Sequence, residues 1–196
     1  SAMQSVLPSY TKFGMAALLP HKTIEVLPDS RALVDGKPTD DIKQREAVLQ
    51  AANPDSRCVK YDDIKSMNVS ALRDVFTGQN VVYVYHDQID ARGDHASTEN
   101  EVFNACEEAV GEIYALIRKL TSSANTIHYI ITADHGFIYK RDKLSESDKI
   151  SGIPDADRRY ALTDRDVHGE GVASLPFSSI IGADDSRRVY FPMGSD

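Results

Sequence analysis

Asp134-His135-Gly136 places a carboxylate and an imidazole on adjacent residues, and the glycine behind them lets the backbone turn sharply enough for both to face one ion or two neighbouring ions. The same three residues also make an ordinary Asx turn with a capping histidine. Upstream, Asp90-Ala91-Arg92-Gly93-Asp94 sets two carboxylates four residues apart around another glycine, with a solvated acidic loop as the plainer alternative. Arg92 is suited to a substrate phosphate or to pairing with the aspartates on either side. Near the start, Thr11 opens an apolar run, so its hydroxyl is expected at a helix N-terminus, a seat for phosphate. A hydroxyl there, beside a metal that lowers its pKa, is a workable nucleophile, although capping is the commoner use of Ser9 or Thr11 in such a place. His86 and His95 are loop histidines able to bind metal or shuttle protons, and His21, His128 and His168 lack ligand neighbours. None of the five enters the expected ligand set.

Each cluster follows an element that would aim it. Val81 to Tyr85 is a β-branched and aromatic run, the pattern of a strand buried on both faces of a parallel sheet, and it delivers the polar loop from His86 to Asp94. Capping and first-turn acids at 97–101 lead into an amphipathic helix through about Leu120, with Val102, Phe103, Cys106, Val110, Ile113, Leu116 and Ile117 on its apolar face. A second buried strand, Ile127 to Ile131, then delivers Asp134-His135. Strand, helix and strand predict a right-handed βαβ unit, which would bring both acidic clusters to one sheet edge, where open α/β sheets place ligands.

The rest of the chain supplies a frame. Thr11 to Leu19 reads as a short buried helix stopped by Pro20, Ala32 to Val34 and the residues after Asp35-Gly36 as a hairpin, and Asp40 to Ala52 as a helix. Residues 53–80 read as a connector with a helix within Ile64 to Phe76, residues 140–160 as a charged surface loop, and Ser178 to Ile181 and Val189 to Phe191 as strands. At 196 residues and 41% apolar content the chain can bury a core, and no apolar stretch approaches the length of a membrane span. Ser1-Ala2-Met3 reads as a cloning remnant, so the domain is expected over residues 4–196. Cys58 and Cys106 fit thiols in a reducing cytoplasm. A net charge of −8 gives no general grip on nucleic acid, and the doublets Arg158-Arg159 and Arg187-Arg188 each sit beside acids.

A hydroxyl-headed helix, then Asp-x-x-Gly-Asp after a strand, a long helix, and Ala-Asp-His-Gly after the next strand, in that order, resemble the alkaline phosphatase superfamily. Its phosphoglycerate mutases and nucleotide phosphodiesterases carry Asp-x-x-Gly-His and Asp-His-Gly at those places. The stretches from Pro8 to Pro20, Tyr85 to Asp94 and Ile131 to Tyr139 are more closely similar to the PglZ domain family, associated with bacterial BREX and Pgl phage defence. The resemblance covers most of residues 6–196 and implies an α/β fold with a mainly parallel sheet flanked by helices. It places Thr11 as nucleophile, with Ser9 as fallback, and Asp90, Asp94, Asp134 and His135 as metal ligands. Two divalent ions are implied, zinc first. Asp94, standing where many relatives have histidine, makes the site harder and admits manganese or magnesium.

The superfamily's further Asp from a strand before the nucleophile helix, and its His near the C-terminal end, have no counterpart here. His168 precedes the Phe191-Pro192 stretch that resembles the segment before that missing His, and is not taken for it. The domain is therefore expected to be truncated. The implied function is hydrolysis of a phosphomonoester or phosphodiester, nucleic acid included, by a cytoplasmic phage-defence protein with other defence proteins as partners. The alternative is a non-catalytic scaffold module of a multi-protein defence complex.

Overall fold

The computed structural model describes residues 5–93, 102–136, 160–168 and 171–193. Asp94, His95, the capping residues 97–101, nearly all of the 140–160 loop and Arg158-Arg159 lie outside the described residues. The chain divides into two compact units, one of Ser1–Val48 with Thr132–Asp196 and the other of Leu49–Ile131.

The first unit opens with α1 (Thr11–Ala17), which buries Phe13, Gly14 and Ala16 and packs on β1 (Ile24–Val26) and β2 (Ala32–Val34). With β3 (Lys37–Pro38) these strands form an antiparallel sheet in sequence order. The expected hairpin is present: Asp35 and Gly36 take positive φ of 48° and 75°, the mirror-image turn whose twist matches the flanking strands. Asp35 Oδ1 also accepts from the Lys22 and Thr23 amides at 3.0 and 2.8 Å, so this side chain closes the far end of the sheet. Helix α2 (Ile42–Ala52) follows.

The unit's second sheet is again antiparallel, in the order β6 (Ala161–Thr163), β8 (Arg188–Pro192), β7 (Val172–Pro176). Between β7 and β8, the expected strand at Ser178 to Ile181 is instead a helical turn, α7 (Phe177–Ile181). Gly182, at φ 67°, ends it in the left-handed conformation with its amide on Ser178 O, and an apolar run this short suits either structure. The core joins the helices to this sheet. Phe13 and Phe177 meet at 5.7 Å between ring centroids, and both are buried with Val189.

The second unit holds the parallel pairing. β4 (Ser56–Lys60) lies beside β5 (Val81–Tyr85) with Ser56 opposite Val81 and Lys60 opposite Tyr85. The crossover runs through α3 (Tyr61–Ile64) and α4 (Val69–Phe76), the latter capped by Asn68 Oδ1 on the Ala71 amide at 2.9 Å. A βαβ unit thus ends at β5: the helix expected within Ile64 to Phe76 is present as α4, while strand β4 lies where only a connector was expected. α5 (Gln88–Gly93) and α6 (Val102–Ser123) follow. Ile64, Leu72 and Leu120 form the core, with Val59, Val84, Leu116 and Tyr129 packed against it.

Three expectations for this unit are corrected. Ile127 to Ile131 belongs to no strand ladder, so the described parallel sheet has two strands and the other two sheets are antiparallel. β5 is half-buried along its length rather than covered on both faces. Helix α6 buries Val102, Ala105, Ala109 and Leu120, while Val110 is 68% and Phe103 54% exposed: its inner face is turned toward the alanines, whose small side chains let the helix approach closely.

Candidate metal centre

Thr11 is the first residue of α1, and its hydroxyl does not cap the helix; the N-cap position belongs to Tyr10, without a side-chain cap. Thr11 Oγ1 instead lies 3.1 Å from His135 Nε2, across 124 residues of sequence. The His135 Nδ1 side faces Gly136 O at 3.1 Å, so a proton on Nδ1 donates there and the Nε2 lone pair is directed to the Thr11 hydroxyl.

Asp134 Oδ2 completes the group, 3.6 Å from His135 Nε2. Both side chains are sheltered, and Asp134 Oδ2 is buried with no hydrogen-bond partner. A buried carboxylate oxygen left without a partner is costly unless a cation or proton meets it. Two ligand atoms on a tetrahedral zinc ion stand roughly 3.3 Å apart, from metal–ligand bonds of about 2.0–2.1 Å. The separations of 3.1 and 3.6 Å bracket that value. A carboxylate oxygen, an imidazole nitrogen and a hydroxyl are a donor set that a divalent ion accepts, so the residues present fit a metal.

The approach of the Asp134 loop to α1 depends on Gly14. A Cβ at that position would stand 2.3 Å from Asp134 O and 2.9 Å from Asp134 Cβ, a collision with backbone that no rotamer relieves. The sequence carried a signal for it: glycine inside a helical run costs about 1 kcal/mol relative to alanine and calls for a packing reason. Tyr10 brackets the other side of α1, stacked on Tyr160 at 5.3 Å and on Phe13 at 6.0 Å. Burial, with Tyr160 adding to it, pushes its phenol well above the usual range, so it remains neutral.

The other expected residues are placed as follows. Asp90 sits in the first turn of α5, in the second unit. His86, at the end of β5, is committed to Glu112 of α6 at 2.7 Å and lies against the Tyr61 ring at 4.7 Å, a pairing that sequence spacing does not reveal. His21 Nδ1 faces Leu19 O at 2.7 Å, and His128 and His168 are exposed. The arginine doublet at 187–188 serves structure: Arg187 binds Asp185 at 2.7 Å and Val26 O at 2.6 Å, and Arg188 donates to Ser174 Oγ at 2.9 Å.

Among the described residues no helix is long and apolar enough to cross a membrane. A family model described as the BREX system PglZ alkaline phosphatase-like domain matches residues 1–196. Over 199 aligned residues the chain is 38% identical to an alkaline phosphatase-like protein PglZ of Bacillus cereus (strain H3081.97), covering 100% of this chain and 23% of that protein. It is 40% identical over 146 residues to an alkaline phosphatase-like protein BrxZ of Escherichia coli O9:H4 (strain HS), covering 74% of this chain and 17% of that protein. The chain thus spans less than a quarter of the length of these curated relatives. No solved structure gives a significant match.

Proposed function

The chain belongs to the PglZ family, the alkaline phosphatase-like domain of BREX systems, and from that premise we propose that its parent protein is a metal-dependent phosphohydrolase acting through Thr11. The observation that carries this reading is the meeting of Thr11 Oγ1, His135 Nε2 and the partnerless Asp134 Oδ2 within one unit. Asp134 and His135 would hold a divalent ion, zinc or, on the harder ligand set, manganese or magnesium. Asp90 and Asp94 are proposed as ligands on the sequence motif alone. When bound, the metal centre supplies charge that lowers the pKa of the hydroxyl and offsets the negative charge of a phosphoryl group.

The chain's own residues then account for the proton and the attack. With Nδ1 held toward Gly136 O, the one Nε2 lone pair of His135 would be given to the ion, 3.1 Å from Thr11 Oγ1, which seats the hydroxyl beside that charge. Thr11 Oγ1 gives its proton to solvent water and forms a bond to phosphorus as the ester oxygen leaves with the electron pair of the broken P–O bond and takes a proton from water. Water then attacks phosphorus, the Thr11 O–P bond breaks, and Oγ1 regains a proton. The substrate class is a phosphomonoester or phosphodiester, nucleic acid included, and the partners are other proteins of the phage-defence system, to which the relatives belong by family.

The test uses the full-length parent. Hydrolysis of p-nitrophenyl phosphate and bis-p-nitrophenyl phosphate is measured with added zinc or manganese, alongside His135→Ala. The expected result is turnover that a chelator removes and that His135→Ala lowers by at least about a hundredfold, in line with losing a ligand's support of the metal. A folded parent that turns over neither ester with any metal would sink the hydrolase reading and leave the scaffold module in its place.

A further inference from the structure

One polar pairing in the second unit has no part in the hydrolysis proposed above. β4 and β5 are parallel with Lys60 opposite Tyr85, so the residues that follow them, Tyr61 and His86, leave the same edge side by side, with ring centroids 4.7 Å apart. His86 Nε2 meets Glu112 Oε2 of α6 at 2.7 Å, and the two side chains are 12% and 34% exposed. A carboxylate only accepts, so Nε2 carries the proton and keeps no lone pair for an ion. Packing alone does not call for this pair: two apolar side chains would hold the end of β5 on α6 without desolvating a carboxylate, whereas a hydrogen bond fixes one position along the helix.

That position matters to the chain that follows. α5 carries Asp90 in its first turn, where Ala91 N donates to Asp87 O at 2.9 Å. With 6 residues it is too short to hold itself as a helix, so it takes its place from its packing on α6 and from the strand end that His86 ties to the same helix. We propose that His86 and Glu112 are positioning residues for the metal centre: the hydrogen bond between them sets where α5 presents the Asp90 carboxylate. His86 acts through Asp90 and is not itself a ligand. The inference rests on the reading of Asp90 as a ligand, so the experiment tests that reading beside it.

Zinc affinity of the full-length parent is measured by competition with a chelating dye, with thermal unfolding alongside. Glu112→Ala and His86→Ala should each weaken zinc binding by about tenfold or more, and together by no more than the larger single loss, because they remove one interaction. His86→Gln, whose amide still donates to Glu112 but is a poor zinc ligand, should restore most of the affinity. In an Asp90→Asn background, already weakened, neither alanine change should weaken zinc further. Where His86→Ala does not fold, Glu112→Ala carries the comparison, since Glu112 is the more exposed of the two. Unchanged affinity in the alanine variants, even with a lowered melting temperature, would reduce the pair to packing and overturn the proposal. So would a loss in His86→Ala that His86→Gln does not recover, which would make His86 a ligand. Affinity that Asp90→Asn itself leaves unchanged would instead remove the ligand reading of Asp90, and the proposal with it.

Discussion

One hydroxyl carries the account at the scale of the residue. A threonine that opens a helix ordinarily caps it, but Thr11 spends its hydroxyl on His135 at 3.1 Å. Asp134→Asn removes the charge from a buried oxygen that has no partner, so it should cost little stability and abolish the stoichiometric zinc or manganese expected in the purified parent, as read by elemental analysis. Retained metal would move the ligand role elsewhere. Away from the site, hydrogen bonds from Arg187 hold the Asp185 carboxyl below its ordinary value of 3.8. A depressed folded-state pKa means that the pair's stabilisation is complete above about that pH and fades as pH falls through the folded value. Asp185→Asn should therefore lose about 1–2 kcal/mol in urea unfolding at pH 7, with the two proteins converging below about pH 3.8. The sequence put Asp134 and His135 forward by their types and spacing and Thr11 through the family resemblance, and the structure brings Thr11 Oγ1 and His135 Nε2 to 3.1 Å. The Glu112 partner of His86 was not legible in sequence, since it depends on how α6 is rotated rather than on spacing.

Among the elements, α1 and the Asp134 loop must fit each other. Alanine at Gly14 would favour the helix by about 1 kcal/mol but push against Asp134 O at 2.3 Å, and overpacking of this kind costs about 1–3 kcal/mol. Gly14→Ala should consequently fold with a stability change of no more than about 2 kcal/mol while weakening metal binding by at least tenfold, measured by competition with a chelating dye; unchanged affinity would show that the loop does not need its close seat on the helix. The hairpin at Asp35-Gly36 and strand β8 were readable because turn chemistry and β-branched runs are local signals. Strand β4 was missed because Arg57 and Lys60 interrupt its apolar pattern, and α7 was misread because a short apolar run does not distinguish a strand from a helical turn.

At the scale of the whole molecule, each unit rests on its own core. Leu72, fully buried between Ile64 and Leu120, is the centre of the second, and Leu72→Ala should cost about 2–5 kcal/mol in chemical denaturation of the parent. The expected mainly parallel sheet was the part least available to local reading: strand pairing is a long-range property, and the segment at 127–131 that would extend it has the composition of a strand but no ladder here. A net charge of −8 gives the chain no broad cationic field, so the proposed hydrolysis rests on a local constellation. The measurement that bears most directly on that constellation is ester hydrolysis by the full-length parent carrying Thr11→Ala, with Thr11→Ser beside it. The account predicts that alanine lowers metal-dependent turnover by at least about a thousandfold while serine, which keeps a hydroxyl, retains measurable turnover. Undiminished turnover in the alanine variant would contradict it and pass the nucleophile's role to Ser9 or to water.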